Sequence, residues 1–268
     1  MVAGESKIVV SDKAVMIIPA AGLGTRLQAS VPKALFAVNG KPLLDYLLDL
    51  YAPVVDHFVV VLHPAFEDMV RQHCKDRWPP ITIAHQHEPT GMLDAILAPR
   101  ALVSAMDVGR VWITWCDQIA IHSETVRTLK QISEERPKAS LIFPTARRSR
   151  PYIHVLRQSD GRIVGVLHRR EGDPMPDIGE SDMGLFSLSR DAYLDDLVEF
   201  SGGAERAPRT RERNFLPFIP WLACRGTQVV TFTCRDEREA IGINTRQDAA
   251  EVEQYLRERT AESPRSEC

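Results

Sequence analysis

The chain has 268 residues, 44% of them hydrophobic and 26% charged, the composition of a globular protein large enough to bury a core without disulfide or metal staples. A net charge of −3 excludes a global electrostatic footprint for nucleic acid, and no apolar run approaches the ~20 residues a membrane helix needs. The five cysteines form no Cys-x-x-Cys pair and no Cys/His metal spacing, so a reducing, cytoplasmic setting is the expectation.

Taken in chain order, "AVMIIP", "HFVVVL", "ITIAH" and "RVWITW" are short, rich in branched residues and read as buried strands. Between them "LLDYLLDLY", "AFEDMVRQHC" and "LDAILAPRALVSAM" carry helical spacing, with Pro99 expected to break the third. "SETVRTLKQISEE" and "ASLIFP" continue the rhythm, and this alternation predicts a mostly parallel sheet with helices on both faces. Beyond Pro144 the pattern changes: "YIHVLR", "RIVGVLH" and "MGLFSLS" read as antiparallel additions. A helix "RDAYLDDLVEF", a mobile charged loop "SGGAERAPRTRERN", a helix near "FLPFIPWLACR", a strand "TQVVTFT" and a last helix from Thr245 complete it. The expected organisation is an N-terminal extension over 1–13, a single domain over 14–258 and a disordered tail over 259–268.

The chemistry starts directly after the first strand, in "PAAGLGTRL" with Lys33 following in "VPKAL". Glycines at a strand's carboxyl end let main-chain N–H groups approach a ligand, which in an open α/β sheet binds there. A dinucleotide fingerprint would need glycine where Leu27 stands, and a P-loop would need Gly-Lys-Ser/Thr; neither fits. The segment from Ile17 to Pro42, "IIPAAGLGTRLQASVPKALFAVNGKP", resembles the sugar-1-phosphate nucleotidyltransferases, including the glucose-1-phosphate thymidylyltransferases and the N-acetylglucosamine-1-phosphate uridylyltransferases. The resemblance implies a Rossmann-like three-layer fold of the nucleotide-diphospho-sugar transferase (GT-A-like) type. Its central sheet would be mostly parallel with antiparallel additions, residues 14–144 holding the nucleotide and 145–258 the acceptor.

In that reaction an acceptor phosphate oxygen attacks the α-phosphorus of a nucleoside triphosphate and pyrophosphate leaves. The nucleophile is already an anion, so the demand is for cations and N–H groups to gather two polyanions and stabilise the leaving charge. The resemblance assigns Arg26 and Lys33 to catalysis, a forked guanidinium and a compact ammonium respectively. Ala20, Ala21, Gly22, Gly24 and Thr25 would cradle the triphosphate. Gln86 and Gly91 in "QHEPTGMLDA" would read the base, matching a Gln-x-x-Pro-x-Gly-Leu pattern except for Met92. That match favours UTP or dTTP. Asp117, after the strand "RVWITW", and Asn244, in "AIGINTRQD", would hold Mg²⁺, a hard cation that takes few protein ligands. Cys116 stands where the family often has glycine, and Thr245 with Asp248 offers a plain helix cap as the alternative account of the Asn244 segment.

The acceptor side departs further from the family. Tyr152 keeps its place, but His168 replaces a sugar-binding glutamate, Arg169 stands at a lysine, Glu180 matches, and Asp182 replaces an asparagine. These departures keep open a second expectation, a cytidylyltransferase acting on an alcohol, amino or cyclitol phosphate. A glycosyltransferase is disfavoured because the chain contains no Asp-x-Asp. A catalytically silent nucleotide-binding relative is disfavoured by the retention of Arg26, Lys33, Asp117 and Asn244. Partners are then a nucleoside triphosphate and a small phosphorylated acceptor, with no nucleic acid or membrane; the oligomer is not legible.

Overall fold

The computed structural model describes residues 11–22 and 31–262. The first strands are β1 (Ala14–Pro19), β2 (Ala37–Val38), β3 (Lys41–Pro42), β4 (His57–Leu62), β5 (Ile81–His85) and β6 (Arg110–Thr114). They are followed by β7 (Leu141–Ser149), β8 (Ile153–Arg157), β9 (Ile163–His168), β10 (Ile178–Asp182), β11 (Leu185–Ser189) and β12 (Val229–Thr233). Helices are α1 (Leu43–Tyr51), α2 (Glu67–His73), α3 (Met92–Leu97), α4 (Arg100–Ser104), α5 (Ser123–Glu135), α6 (Leu197–Gly203), α7 (Phe218–Cys224) and α8 (Arg246–Glu262).

The main sheet runs β10-β7-β11-β6-β1-β4-β5, with β12 paired to β7. β1 is parallel to β4 and β6, and β4 to β5, whereas β11 and β10 run antiparallel to their neighbours. The fold is thus the three-layer α/β arrangement with antiparallel additions that the chain's alternation predicts. Alternation along β1 explains the layers. Met16 and Ile18 face a core shared with α1, α5 and α8. Val15 and Ile17 face a second core with α3, α7, Phe186 and Phe215. Both faces are covered, which is why the strand is continuously apolar.

Pro99 does break the third helical stretch, separating α3 from α4. Three expectations need correction. The segment "IGESD", given no strand in the sequence pattern, is strand β10: its poor β-formers are held by register with β7, from Ile178 opposite Ser149 to Asp182 opposite Thr145. The last helix runs to Glu262, beyond the boundary expected at 258. The Thr260 hydroxyl donates to the Leu256 carbonyl and Arg259 donates to the Ala120 carbonyl, tying down the turn read as tail. The charged stretch "SGGAERAPRTRERN", read as mobile, is fastened at both flanks of the site described next. Among the described residues, no helix is long and apolar enough to cross a membrane.

Candidate active site

The site lies at the carboxyl ends of three parallel strands. One residue past β1, Ala20 donates its N–H to Val61 at 2.8 Å, and one residue past β5, Gln86 donates its N–H to Leu62 at 2.9 Å. Three residues past β6 stands Asp117. Ala20 and Ala21 are buried, whereas Gly22 is exposed, and a Cβ there would meet nothing within 4 Å. Gly24, Thr25 and Arg26 lie outside the described residues. β1 is flanked by β4 on one side and β6 on the other, so the chain order reverses at this point, the place where open α/β sheets form their ligand crevice.

Lys33 reaches this crevice from a short 3₁₀ turn over Lys33–Leu35. Its Nζ lies 2.6 Å from Asp117 Oδ2, the two side chains being 17% and 15% exposed. The expected phosphate cation and the expected metal ligand are therefore partners of each other. The Asn244 segment comes to the same place: Ile243 N donates to the Asp117 carbonyl at 3.2 Å, and a Cβ on Gly242 would stand 3.5 Å from Asp117 Oδ1. The helix-cap account of this segment is seen directly. Thr245 and Asp248 form a reciprocal cap on α8, with Asn244 N and Thr245 N donating to Asp248 Oδ2 at 2.9 and 2.7 Å, and this cap fixes the turn that abuts Asp117.

The residue types expected to hold a hard divalent cation, the Asp117 carboxylate and the Asn244 amide, lie on segments that meet through the Ile243 N to Asp117 carbonyl bond. Among the described residues no three His, Cys, Asp or Glu side chains gather into a cage. Burial pushes the Cys116 thiol up to about 12, so it is packing beside the site and no nucleophile.

On the base side, the Gln86 amide donates to the Gly91 carbonyl at 3.1 Å, fixing the loop before α3. Gly91 has φ +129°, and the space a Cβ would take is filled by Arg213 main-chain atoms. The open approach expected at Gly91 is thus occupied on that side by the chain itself. Arg213 N donates to the Thr90 carbonyl at 2.8 Å, Leu93 N donates to the Arg213 carbonyl at 3.0 Å, and the Arg213 guanidinium pairs with Asp94 and the Ser201 carbonyl. Glycine is required here by close packing as well as by φ.

The acceptor-side residues divide into two groups. Tyr152, His168 and Arg169 meet at the base of the β8–β9 hairpin. The Tyr152 and His168 rings sit edge to face with centroids 5.1 Å apart, and burial lowers the imidazole's pKa. The Arg169 guanidinium turns back onto the Pro151 carbonyl at 3.0 and 3.2 Å. Glu180 and Asp182 lie on β10, which is joined to β8 where the Glu180 carbonyl meets His154 Nδ1 at 3.1 Å. Glu180 is committed to Arg157 through two bonds of 2.6 and 2.5 Å. Burial raises its pKa, but the arginine outweighs burial and the net shift is downward.

Asp182 is 7% exposed, accepts from Gly184 N at 2.8 Å, and is pushed up to about 6, first by burial and then by Asp117. A carboxyl whose folded pKa lies above its ordinary 3.8 binds the proton more tightly folded than unfolded. It therefore stabilises below pH 4 and loses that contribution as pH rises toward 6. Asp182→Asn keeps the acceptor for Gly184. Urea denaturation is expected to show the variant more stable at pH 7.5, on the order of 1–3 kcal/mol, with the difference vanishing near pH 4. A constant difference across that range would deny the titration.

The sequence reading missed Glu171, Arg157, Asp94 and Arg213. Glu171 holds the charged loop from the acceptor side, accepting from Arg209 N, Thr210 N and the Thr210 hydroxyl at 3.0, 3.2 and 2.6 Å. The loop joins this turn to the base-side loop, which Arg213 grips at its other end. Glu171→Gln is expected to speed tryptic cleavage at Arg206, Arg209 and Arg211 several-fold in native buffer; an unchanged rate would mean that Arg213 alone secures the loop. No local signal marks such pairs, because their members lie far apart in sequence. A separate cleft of ≈ 450 Å³ includes His122, Phe232, Cys234 and Tyr255 in its lining and contains none of the residues assigned above.

A lysine–aspartate pair at the carboxyl ends of parallel strands, beside a reversal of strand order, is the arrangement of an open α/β sheet that binds a ligand there. Residues 16–190 match the MobA-like NTP transferase domain; the chain belongs to this family and is a nucleotidyltransferase. It is similar to proteins named bifunctional protein GlmU from Solibacter usitatus (30% identity over 251 residues, 91% of this chain and 52% of that one) and Aquifex aeolicus (28% identity over 253 residues, 90% and 53%). A third so named, from Thermodesulfovibrio yellowstonii, is 26% identical over 91% of this chain and 52% of its own. The chain spans about half the length of these relatives.

Proposed function

We propose that the protein transfers a nucleotidyl group from a nucleoside triphosphate, UTP or dTTP in the first instance, to a sugar 1-phosphate or sugar-like phosphate, releasing pyrophosphate. The observation that carries this reading is the convergence of Ala20, Gln86 and the Lys33–Asp117 pair at the ends of β1, β5 and β6. Gln86 and the loop it braces receive the base, and the Ala20–Thr25 segment receives the phosphates through main-chain N–H groups beyond Ala20, whose own N–H is bonded to Val61. Lys33 leaves Asp117 for the α-phosphate region, and Arg26 takes the pyrophosphate oxygens. The acceptor's phosphate oxygen forms the new bond to the α-phosphorus as the bond to the β-phosphate oxygen breaks, and its electron pair departs on pyrophosphate. Asp117 and Asn244 would hold Mg²⁺, which supplies charge neutralisation when bound.

A second reading, a cytidylyltransferase using an alcohol, amino or cyclitol phosphate, is favoured by one observation: the Glu180 carboxylate is bound to Arg157, leaving it unavailable to sugar hydroxyls unless that pair opens. Mg²⁺-dependent pyrophosphate release, measured with UTP, dTTP, CTP, GTP and ATP against sugar, cyclitol and alcohol phosphates, separates the two. Release with a sugar 1-phosphate and UTP or dTTP supports the first reading. CTP with a non-sugar phosphate supports the second, and silence across the panel counts against both. The four described cysteines are thiols, in keeping with the cytoplasmic location that forms part of this proposal.

A further inference from the structure

The residue after Asp117 has no part in the assignments above. Gln118 is 8% exposed, and its Oε1 is the one buried side-chain oxygen or nitrogen among the described residues that lacks a hydrogen-bond partner. Its neighbours explain how it is held. The side-chain Cγ lies 2.8 Å from where a Cβ on Gly184 would sit, and Nε2 lies 3.0 Å from the corresponding position on Gly242. The first glycine follows Asp182 on the bend into β11, and the second abuts the Asp117 carboxylate. Glycines at these two places leave room for the amide between the Asp182 bend and the Asn244 segment.

An unpaired buried carbonyl oxygen costs about 1–3 kcal/mol of desolvation, and a leucine or methionine of similar volume would avoid that cost. Beside the Asp117 carboxylate, such an acceptor is placed to meet a donor that arrives with the substrates. Resting on the nucleotidyltransferase reading, we infer that Gln118 is a positioning residue for the divalent cation: its amide oxygen accepts a hydrogen bond from a water that the cation carries. Outer-shell acceptors of this kind orient metal-bound groups, and their loss typically weakens metal affinity 10–100-fold. Gln118 makes no direct contact with the reacting atoms. Its contribution is to fix which face of the hydrated ion meets Asp117 and Asn244.

The test uses the whole chain with UTP and MnCl₂, free Mn²⁺ being followed by its electron paramagnetic resonance signal. Gln118→Met is expected to weaken Mn²⁺ binding in the presence of saturating UTP by about tenfold, while the melting temperature without ligand stays level or rises because an unpaired acceptor has been removed. Affinity within twofold of the parent overturns the assignment. If the variant does not fold, the parent protein decides by itself. With ¹⁵N labelling, the Gln118 side-chain amide signal is expected to shift as MgCl₂ is added to the UTP-bound protein, saturating together with binding, and an unmoved signal overturns the inference. A parent protein that binds UTP but no Mn²⁺ overturns both the metal assignment and the role of Gln118. Normal binding by parent and variant alike removes Gln118 alone.

Discussion

Asp117→Asn is expected to lower Mg²⁺-dependent pyrophosphate release by roughly 10²–10³-fold while leaving a folded protein. Asparagine preserves the size of the side chain, and the 3.2 Å bond from Ile243 N is to the main-chain carbonyl, which the substitution leaves in place. What is lost is the negative charge opposite Lys33 at 2.6 Å. With both partners about one-sixth exposed, an unpaired Lys33 costs about 1–2 kcal/mol, between the values for surface and fully buried pairs. Turnover and thermal melting measured on one preparation separate the two effects. Unchanged activation by Mg²⁺ would remove Asp117 from the metal site, whatever the melting temperature shows.

Gly91→Ala is expected to have the largest structural effect of the single-methyl changes in the site. The residue holds φ +129°, where an L side chain is strained, and the new Cβ would collide with the main-chain nitrogen and oxygen of Arg213. Neither obstacle is the flexible end of a side chain, so relief requires moving a backbone that is hydrogen-bonded to Thr90 and Leu93. A loss of roughly 2–4 kcal/mol follows, readable as an earlier urea midpoint, together with a raised KM for the nucleotide because Gln86 braces the same loop. Gly22→Ala is the control for stability: a Cβ there meets nothing within 4 Å, and its midpoint is expected to stay within error of the parent. Equal midpoints for the two variants would show that Arg213 yields easily and that the packing argument overstates the clash.

Local chemistry made much of the molecule legible. The apolar runs around Ile17, Val60 and Ile113 are buried on both faces, and such runs announce parallel strands without help from tertiary context. Pro99 and the Thr245–Asp248 cap act within a turn of their own positions, so their consequences could be read directly. Strand β10 could not be, since Gly179, Glu180, Ser181 and Asp182 are extended by pairing with β7 and not by their own preference. The site shows the same division. Lys33 and Asp117 carry their chemistry in motif spacing, but their mutual pairing depends on β1 and β6 lying side by side. Glu180 illustrates the opposite failure: the motif was recognisable, yet Arg157, 23 residues away, absorbs the carboxylate. The roles of Arg213 and Glu171 depend on contacts between segments distant in sequence, Arg213 with Thr90 and Asp94 and Glu171 with Thr210, which no short window along the chain contains.

The loop gripped by Arg213 at one end and Glu171 at the other has a bearing on any attempt to redesign this protein. Acceptor preference in such a fold invites treatment as an exchangeable cassette, with the 152–182 region replaced and the nucleotide side left alone. Here a graft that omits Glu171 would free the Thr210 end of the loop and slacken its hold on Thr90 and Leu93, so under the function proposed above a change intended for the acceptor would surface as altered discrimination among bases. Transplants that carry residues 169–172 and 205–213 together, with Asp94 retained in the recipient, keep both fastenings intact. The unit to be moved intact is the fastened pair of loops.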